Sequence, residues 1–453
     1  MKKIFHPLAL LGCLGIATLS ACDKRLDVTP VNSVPAETAI NTSTDVEALL
    51  KGAYELSGDQ YLYGGGFQYY SDFLGDNGEI KFGGTYSQPR EIINKRILKD
   101  NSFVSFTWVN AYRTINVANT VLGNISKVTA ANTNTVTGGA KFLRGALYFD
   151  LVRLYAKAWN DGTPATNPGV VLVLAPTNTA NPTTALNVTG KAPRNSVAEV
   201  YTQVIKDLLD AEQLLPASNG IFANKYAASA MLSRVYLQQG RYAEAAIEAD
   251  KVIQSGAFSL VNSYADEFLS KTNTIEDIYA IQLTTQSGTN DLNTFYSGNS
   301  RGDVAVLDTH LALYESGDDR LKLFNTSNGP DAALTLKFDN IHGNIHLIRL
   351  AEMYLTRAEG NFRAGASVGA MPLEDINKVR VRVSLAPLTT VSLATILNER
   401  HLELALEGFL LHDLKRNASS ASSLPYNSPK LIFPIPQRET DLNSNLAQNE
   451  GYK

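Results

Sequence analysis

The sequence predicts a mostly α-helical protein. Antiparallel helical pairs are expected to form its frame, with long irregular loops and a few short strands between them. Three observations favour this fold class: apolar residues recur at helical spacing, alanine-rich helices meet at a glycine, and the stretches between them are rich in glycine, proline and aromatic residues. Apolar residues make up 44% of the chain and charged residues 19%, which is typical of a packed globular protein.

The clearest helical pair lies between Tyr226 and Gly256. Apolar residues recur every three or four positions on both sides of Gly240, and glycine tolerates the left-handed backbone that ends a helix. The spacing of Gly240, Tyr242 and Ala245 resembles the tetratricopeptide repeat. Such a pair needs neighbouring pairs to bury its apolar face, so a tetratricopeptide-like scaffold is expected. An isolated hairpin in another all-α fold is the alternative.

The same spacing predicts further helices on both sides of this pair. Their ranges are 45–54, 106–128, 140–155, 196–215, 345–362, 373–383 and 393–407. Trp108 shares the apolar face of its helix and is therefore expected in the core. The stretch 258–339 has weak periodicity and is expected to hold loops and short strands. The tail is predicted to be extended because Pro434 and Pro436 disfavour a helix.

The first residues resemble a bacterial lipoprotein signal. Lys2 and Lys3 precede an apolar run from Leu8 to Leu19, which is too short to span a bilayer. Small residues follow and end at Cys22, as in a lipobox. Cleavage is therefore expected before Cys22, which would carry the lipid anchor that attaches the protein to a membrane. An uncleaved membrane anchor is the alternative.

These features predict the organisation of the chain. Residues 1–21 are the predicted signal peptide, and residues 22–44 are a lipidated tether. Residues 45–453 are predicted to form a single domain, with an N-terminal half (45–270) and a C-terminal half (271–453). The net charge of −4 is spread along the chain without a basic stripe, so no nucleic-acid partner is expected.

The stretch from Tyr54 to Tyr86 is the strongest candidate for a binding surface, because it combines nine aromatic residues with many glycines. A ring on a loop offers stacking area at low entropic cost, and sugar rings stack on aromatic faces. Asp72, Asp76 and Asn77 are candidates to bind hydroxyl groups. The predicted ligand-contact rings here and in later loops are Tyr61, Tyr63, Phe67, Tyr69, Tyr70, Tyr86, Trp159 and Tyr296. For each ring, a place in the core is the alternative.

No catalytic or metal site is predicted. His342 and His346 lie four residues apart, but no cysteine or acidic ligand set accompanies them. Glu399, Glu403 and Glu407 recur on one helix face beside an arginine, which indicates a buried ion network rather than a catalytic set.

Several ordered motifs resemble the SusD/RagB family. They are FLRGALYFDL at 142–151, IRLAEMYLTRAE at 348–359, the charged stretch at 399–416, PIP at 434–436 and NEGY at 449–452. Leu410 and Leu411 stand where the family usually has an arginine and a bulky residue. Ser444 and Glu450 replace prolines of the family's tail.

The resemblance implies a body of tetratricopeptide-like helical pairs with looped excursions. It also implies an outer-membrane lipoprotein, exposed on the cell surface, that binds oligosaccharide or another oligomeric nutrient such as peptide. As a lid, the protein would deliver this ligand to a SusC-like TonB-dependent transporter. Neither a cofactor nor catalysis is implied. An envelope scaffold without a ligand and a surface glycosidase are the alternatives.

Overall fold

Helices dominate the computed structural model, which describes residues 40–177, 192–286 and 290–452. The predicted signal peptide, Cys22 and the rest of the predicted tether up to residue 39 lie outside the described residues. Thr42–Lys453 form one compact unit. The division of this unit into two halves stays a prediction.

The described residues form sixteen α-helices and six short strands. The helices are α1 (Ser43–Ser57), α2 (Gly66–Gly75), α3 (Ser87–Ile93), α4 (Ser102–Gly123), α5 (Thr133–Tyr155), α6 (Val197–Leu214), α7 (Lys225–Gln238), α8 (Tyr242–Gln254), α9 (Tyr264–Leu269), α10 (Asp291–Tyr296), α11 (Asp308–Leu311), α12 (Leu350–Ala364), α13 (Pro372–Arg382), α14 (Leu393–Glu403), α15 (Leu410–Arg416) and α16 (Gln437–Leu442). The strands are β1 (Ile80–Phe82), β2 (Asp277–Ile281), β3 (Val304–Val306), β4 (Phe324–Asn325), β5 (Leu334–Thr335) and β6 (Ile345–Arg349).

The long helices build a frame in which neighbours along the chain pack on each other. Helix α4 packs on α5, α5 on α6, α6 on α7 and α7 on α8. Helix α12 then packs on α8 and on both α13 and α14. This frame of stacked helical pairs confirms the predicted fold class. Among the described residues, no helix combines the length and the apolar character that crossing a membrane requires.

The predicted hairpin is formed by α7 and α8. Gly240 ends the first helix with a φ of +72°, the left-handed conformation that its sequence position predicts. Alanines at 227, 228, 230, 245, 246 and 249 are fully buried, so the helices approach closely. Helix α12 approaches α8 through Gly360, where an added Cβ would lie 2.6 Å from the Tyr242 carbonyl oxygen and 2.9 Å from the Ala246 Cβ.

The strands pair into antiparallel two-stranded sheets between distant parts of the chain. In β1–β3, Ile80 lies opposite Val306 and Phe82 opposite Val304. Strand β2 pairs with β6, and β4 with β5. The β1–β3 pair holds the loop after α2 against the segment at 300–311, and both segments contribute to the sites described below.

Three expectations about local structure are wrong. The stretch predicted as loops between Tyr54 and Tyr86 contains α2, in which every residue is buried, so no polar face produces helical periodicity. The first five residues of the helix predicted at 345–362 form β6 instead, because β2 offers them a partner strand. The tail contains the short helix α16 directly after Pro436.

Replacing Gly360 with alanine is expected to destabilise the protein by about 1–3 kcal/mol, because the methyl group would push α12 away from α8. Gly52→Ala in α1 is the matched control, since no atom lies within 4 Å of its added Cβ. The control is expected to be neutral or to stabilise by up to about 1 kcal/mol. Urea unfolding followed by circular dichroism measures both; equal effects would contradict the close α8–α12 packing.

Candidate functional site

The strongest candidate site is an exposed row of rings that we call the aromatic ridge: Tyr61, Phe103, Phe106 and Tyr86, with Arg301 at one end. The Tyr61 ring lies 5.2 Å from the Phe103 ring and 5.0 Å from the Phe106 ring, measured between centroids. Tyr86 lies 6.2 Å from Phe103. Phe106 and Tyr86 are each 45% exposed, and Tyr61 and Phe103 are half-buried.

Hydrogen bonds hold the base of the ridge. The Asp59 carboxylate accepts a bond of 2.9 Å from the Tyr61 backbone N–H and one of 3.0 Å from the Asn110 side chain in α4. Asn101 caps α4 by accepting from the N–H groups of Phe103 and Val104, which fixes the turn that carries Phe103 and Phe106. Two elements therefore position these rings independently of any ligand.

Arg301 provides the polar end of the ridge. Its guanidinium group lies 4.6 Å from the centre of the Tyr86 ring, a cation–π distance. It donates to the Asp303 carboxylate at 2.7 Å and to the Thr85 hydroxyl at 3.1 Å. A sugar can stack its C–H face on the exposed rings. Its hydroxyl groups can form hydrogen bonds with the charged donor and the acceptor beside them.

Five of the eight predicted contact rings are buried instead of exposed. Their exposed fractions are 2% for Tyr63, 5% for Phe67 and 0% for Tyr69, Tyr70 and Tyr296. A ring without an accessible face cannot stack on a sugar, so the expectation that these five form a contact surface is wrong for this conformation. The contact roles of Tyr61, Tyr86 and Trp159 stay predictions.

The buried rings continue the ridge into the core. Tyr86 lies 6.4 Å from Phe295, and Phe295 lies 4.9 Å from Tyr69. From Tyr69 a chain of neighbouring rings leads to the helical frame, through Tyr70, Phe433, Tyr155 and Trp108. We call this set, from Phe295 to Trp108, the ring chain. Trp108 is 4% exposed, as predicted for a core residue.

Two of the buried tyrosines form hydrogen bonds with buried aspartates. Tyr63 donates to Asp150 at 2.6 Å, and Tyr296 donates to Asp72 at 3.2 Å. Burial raises the pKa of Asp72 to about 7, and the hydrogen bonds that Asp72 accepts only partly oppose this shift. Asp72 and Asp76 are buried and therefore poorly placed to meet a ligand hydroxyl, whereas Asn77 is exposed and its contact with a ligand stays a prediction.

Trp159 lies apart from the ridge. Its half-buried ring packs 5.1 Å from Tyr201 of α6. Within the described ranges, no ring contact connects Trp159 with the aromatic ridge. This packing favours the interpretation of Trp159 as an anchor for its loop.

Phe103, Phe106 and Arg301 were not among the predicted contacts. The sequence pattern could have identified the two phenylalanines, because they lie outside the apolar stripe of α4 that contains Trp108. A large ring outside that stripe does not pack with it and needs another partner. Arg301 has no local signal, because the β1–β3 pairing brings it to Thr85.

The predicted ion network is confirmed. Arg349 contacts Glu403 at 2.6 Å, Glu407 at 2.8 Å and Glu276 at 3.1 Å, and Arg320 contacts Glu399 at 2.6 Å. Arg349 and Arg320 are each 1% exposed. The burial of the network and the ion pairs of both arginines indicate a structural role.

Two family models match this chain. Residues 24–237 match a SusD-like family described as "Starch-binding associating with outer membrane", and residues 328–424 match the SusD family. A solved structure from Bacteroides vulgatus ATCC 8482 has a TM-score of 0.81 at 26% identity, over 92% of this chain and 100% of that one.

Two curated relatives are similar over shorter stretches. SusD-like protein P2 of Formosa agariphila is 28% identical over 246 residues, which are 53% of this chain and 45% of that protein. The starch-binding protein SusD of Bacteroides thetaiotaomicron is 36% identical over 129 residues, 24% of this chain and 22% of that protein. The chain thus spans less than half the length of these two relatives.

The free energy of unfolding of two variants tests which rings belong to the ridge and which to the core. Phe67→Ala is expected to cost about 3–5 kcal/mol, because it removes a buried ring from the core. Phe106→Ala is expected to change the free energy of unfolding by less than about 1 kcal/mol, because Phe106 is 45% exposed and lies at the surface. Chemical denaturation of both variants checks this. A Phe106→Ala cost as large as that of Phe67→Ala would show that the ridge belongs to the core.

Proposed function

This chain belongs to the SusD/RagB family, and we propose that it is a surface-exposed outer-membrane lipoprotein that binds oligosaccharide on the aromatic ridge. It delivers the ligand, as a lid, to a SusC-like TonB-dependent transporter. The observation that carries the binding role is the exposed row of rings ending in Arg301.

The chemistry of the ridge favours a sugar oligomer. Tyr61, Phe103, Phe106 and Tyr86 offer consecutive apolar faces, which suit a ligand with repeated C–H faces. The Arg301 side chain is 36% exposed and carries N–H donors, and the Asp303 carboxylate holds it in place. The ridge is a surface rather than an enclosed cavity, so the ligand stays partly hydrated and the affinity is modest.

The relatives support the same ligand class. The family matched by residues 24–237 is described as starch-binding and as associating with the outer membrane, and a curated relative is named a starch-binding protein. A peptide is the other oligomeric ligand that a row of rings could bind. Peptides are therefore tested in the same binding assay, and peptide binding is the alternative outcome.

The proposed role is binding and delivery without catalysis. A surface glycosidase would release reducing ends from the polymer that it binds, and we expect none. A tetratricopeptide-like scaffold without a ligand would leave growth on every polymer unchanged when ridge rings are replaced.

Tyr86→Ala and Phe106→Ala are each expected to weaken oligosaccharide binding about 5- to 30-fold, because each removes about 1–2 kcal/mol of stacking. Phe362→Ala is the matched control, since Phe362 is 38% exposed but lies at the end of α12. Isothermal titration with a panel of α- and β-glucan oligosaccharides, other oligosaccharides and peptides measures the dissociation constants.

Two outcomes would count against this proposal. Binding of no oligosaccharide in the panel would contradict the carbohydrate ligand. Binding that Phe362→Ala weakens as much as Tyr86→Ala does would place the ligand away from the ridge.

The proposed anchor rests on Cys22 and the lipobox-like residues before it. Cells that express the Cys22→Ser variant are expected to incorporate no labelled palmitate into the protein, whereas the unchanged chain is labelled. Cys13→Ser is the control, because Cys13 lies within the predicted signal peptide and carries no lipid. Labelling that persists without Cys22 would contradict the anchor.

A further inference from the structure

Glu79, His310 and His401 meet at a point that the proposed ligand site does not use. The Glu79 Oε2 atom lies 2.6 Å from Nδ1 of His310 and 2.8 Å from Nε2 of His401. These three atoms lie within 4.8 Å of one another. Two imidazole nitrogens and one carboxylate oxygen are a ligand set that binds Zn²⁺ in proteins and leaves a further coordination position open.

Backbone pairing holds two of the three residues together. The Leu307 N–H donates to the Glu79 carbonyl at 2.8 Å, and the Thr309 hydroxyl donates to the Gly78 carbonyl at 2.5 Å. Asp76 accepts from the Glu79 N–H at 2.9 Å, which fixes the turn before β1. The set is therefore held by β1, α11 and the last turn of α14 rather than by mobile side chains alone.

Tyr314 gives His310 the second partner that a metal-bound imidazole needs. The Tyr314 oxygen lies 3.1 Å from Nε2 of His310, and its O–H donates to the Leu402 carbonyl at 3.3 Å. Because the Tyr314 O–H donates to that carbonyl, its oxygen can accept from the Nε2–H of a metal-bound His310. Nδ1, the nitrogen that faces Glu79, would then bind the metal, and such an outer partner orients a metal-bound histidine.

At the present separation, Nδ1–H of His310 can donate to the Glu79 carboxylate, and a metal ion would take the place of this proton. Zn²⁺ would hold the three ligand atoms roughly 3.3 Å apart, around bonds of about 2.0 Å. The change from 2.6 and 2.8 Å needs side-chain movements of less than about 1 Å.

The site opens onto a cavity of about 160 Å³ with a largely apolar lining that includes Leu397, Leu404 and Leu414. Asp72, Asp76 and Asp413 line the cavity together with the three ligands. Arg400 also lines it. Arg400 is paired with Asp413 at 2.9 Å. The cavity volume holds several waters that can fill the open coordination positions.

We propose that Glu79, His310 and His401 bind a divalent transition metal, Zn²⁺ in the first instance, which links the turn before β1 with α11 and α14 beside this cavity. The sequence alone could not predict this site, since Glu79 is 231 residues from His310 and 322 from His401.

The test uses the full chain without a histidine tag, freed of metal by a chelator. Isothermal titration with ZnCl₂ is expected to give one saturable site per chain. His401→Gln and Glu79→Gln are each expected to weaken zinc binding at least tenfold. Tyr314→Phe keeps the ring and removes the outer hydrogen bond, and it is expected to weaken binding about tenfold.

His346→Gln is the matched control. His346 contacts Asp277 at 2.8 Å and Glu267 at 3.4 Å in a separate buried cluster. This variant is expected to leave zinc binding unchanged. Loss of binding in His346→Gln with full binding in His401→Gln would overturn the proposal, as would the absence of any saturable zinc site.

If a variant fails to fold, the visible absorption of Co²⁺ bound to the unchanged chain tests the site. Co²⁺ bound at a site with nitrogen and oxygen ligands and fewer than six ligands gives intense visible d–d absorption. One equivalent of Co²⁺ is expected to produce these bands, and Zn²⁺ to abolish them. A spectrum identical to that of hexaaquacobalt would contradict the site.

Discussion

A ring that lies on the surface keeps its orientation only if its other side is packed, and the exposed ridge depends on this constraint. Tyr86 rests against Phe295, whose far side meets the ring chain that ends at Trp108 in the helical frame. The stacking surface is therefore continuous with the core. Pre-ordered rings lose little conformational freedom when a ligand stacks on them, which favours affinity on an open surface.

A second constraint holds the C-terminal helices against the strands. Arg349 leaves β6 and reaches Glu403 and Glu407 at and beyond the end of α14, together with Glu276 just before β2. Buried ion pairs add little net stability over apolar residues of the same shape, but removing one partner is costly because a buried charge remains. This network therefore fixes which segments pair, and it positions α14, the helix that carries His401.

The sequence is informative wherever a helix has one apolar and one polar face. The hairpin at Gly240 is present as predicted. Helix α2 could not be predicted, because it is buried all round and its aromatic and glycine content suggests a loop. For the same reason most predicted contact rings belong to the core: composition shows that rings cluster, but only tertiary packing decides which of them keep an exposed face.

The most direct measurement is a crystal structure of the chain with a bound oligosaccharide. The account predicts a sugar ring stacked on Tyr86 or Phe106, with hydroxyl groups within hydrogen-bond distance of Arg301, and no movement of the ring chain beneath. An oligosaccharide bound at Trp159, or reached only after Tyr69 and Tyr70 turn outward, would contradict it.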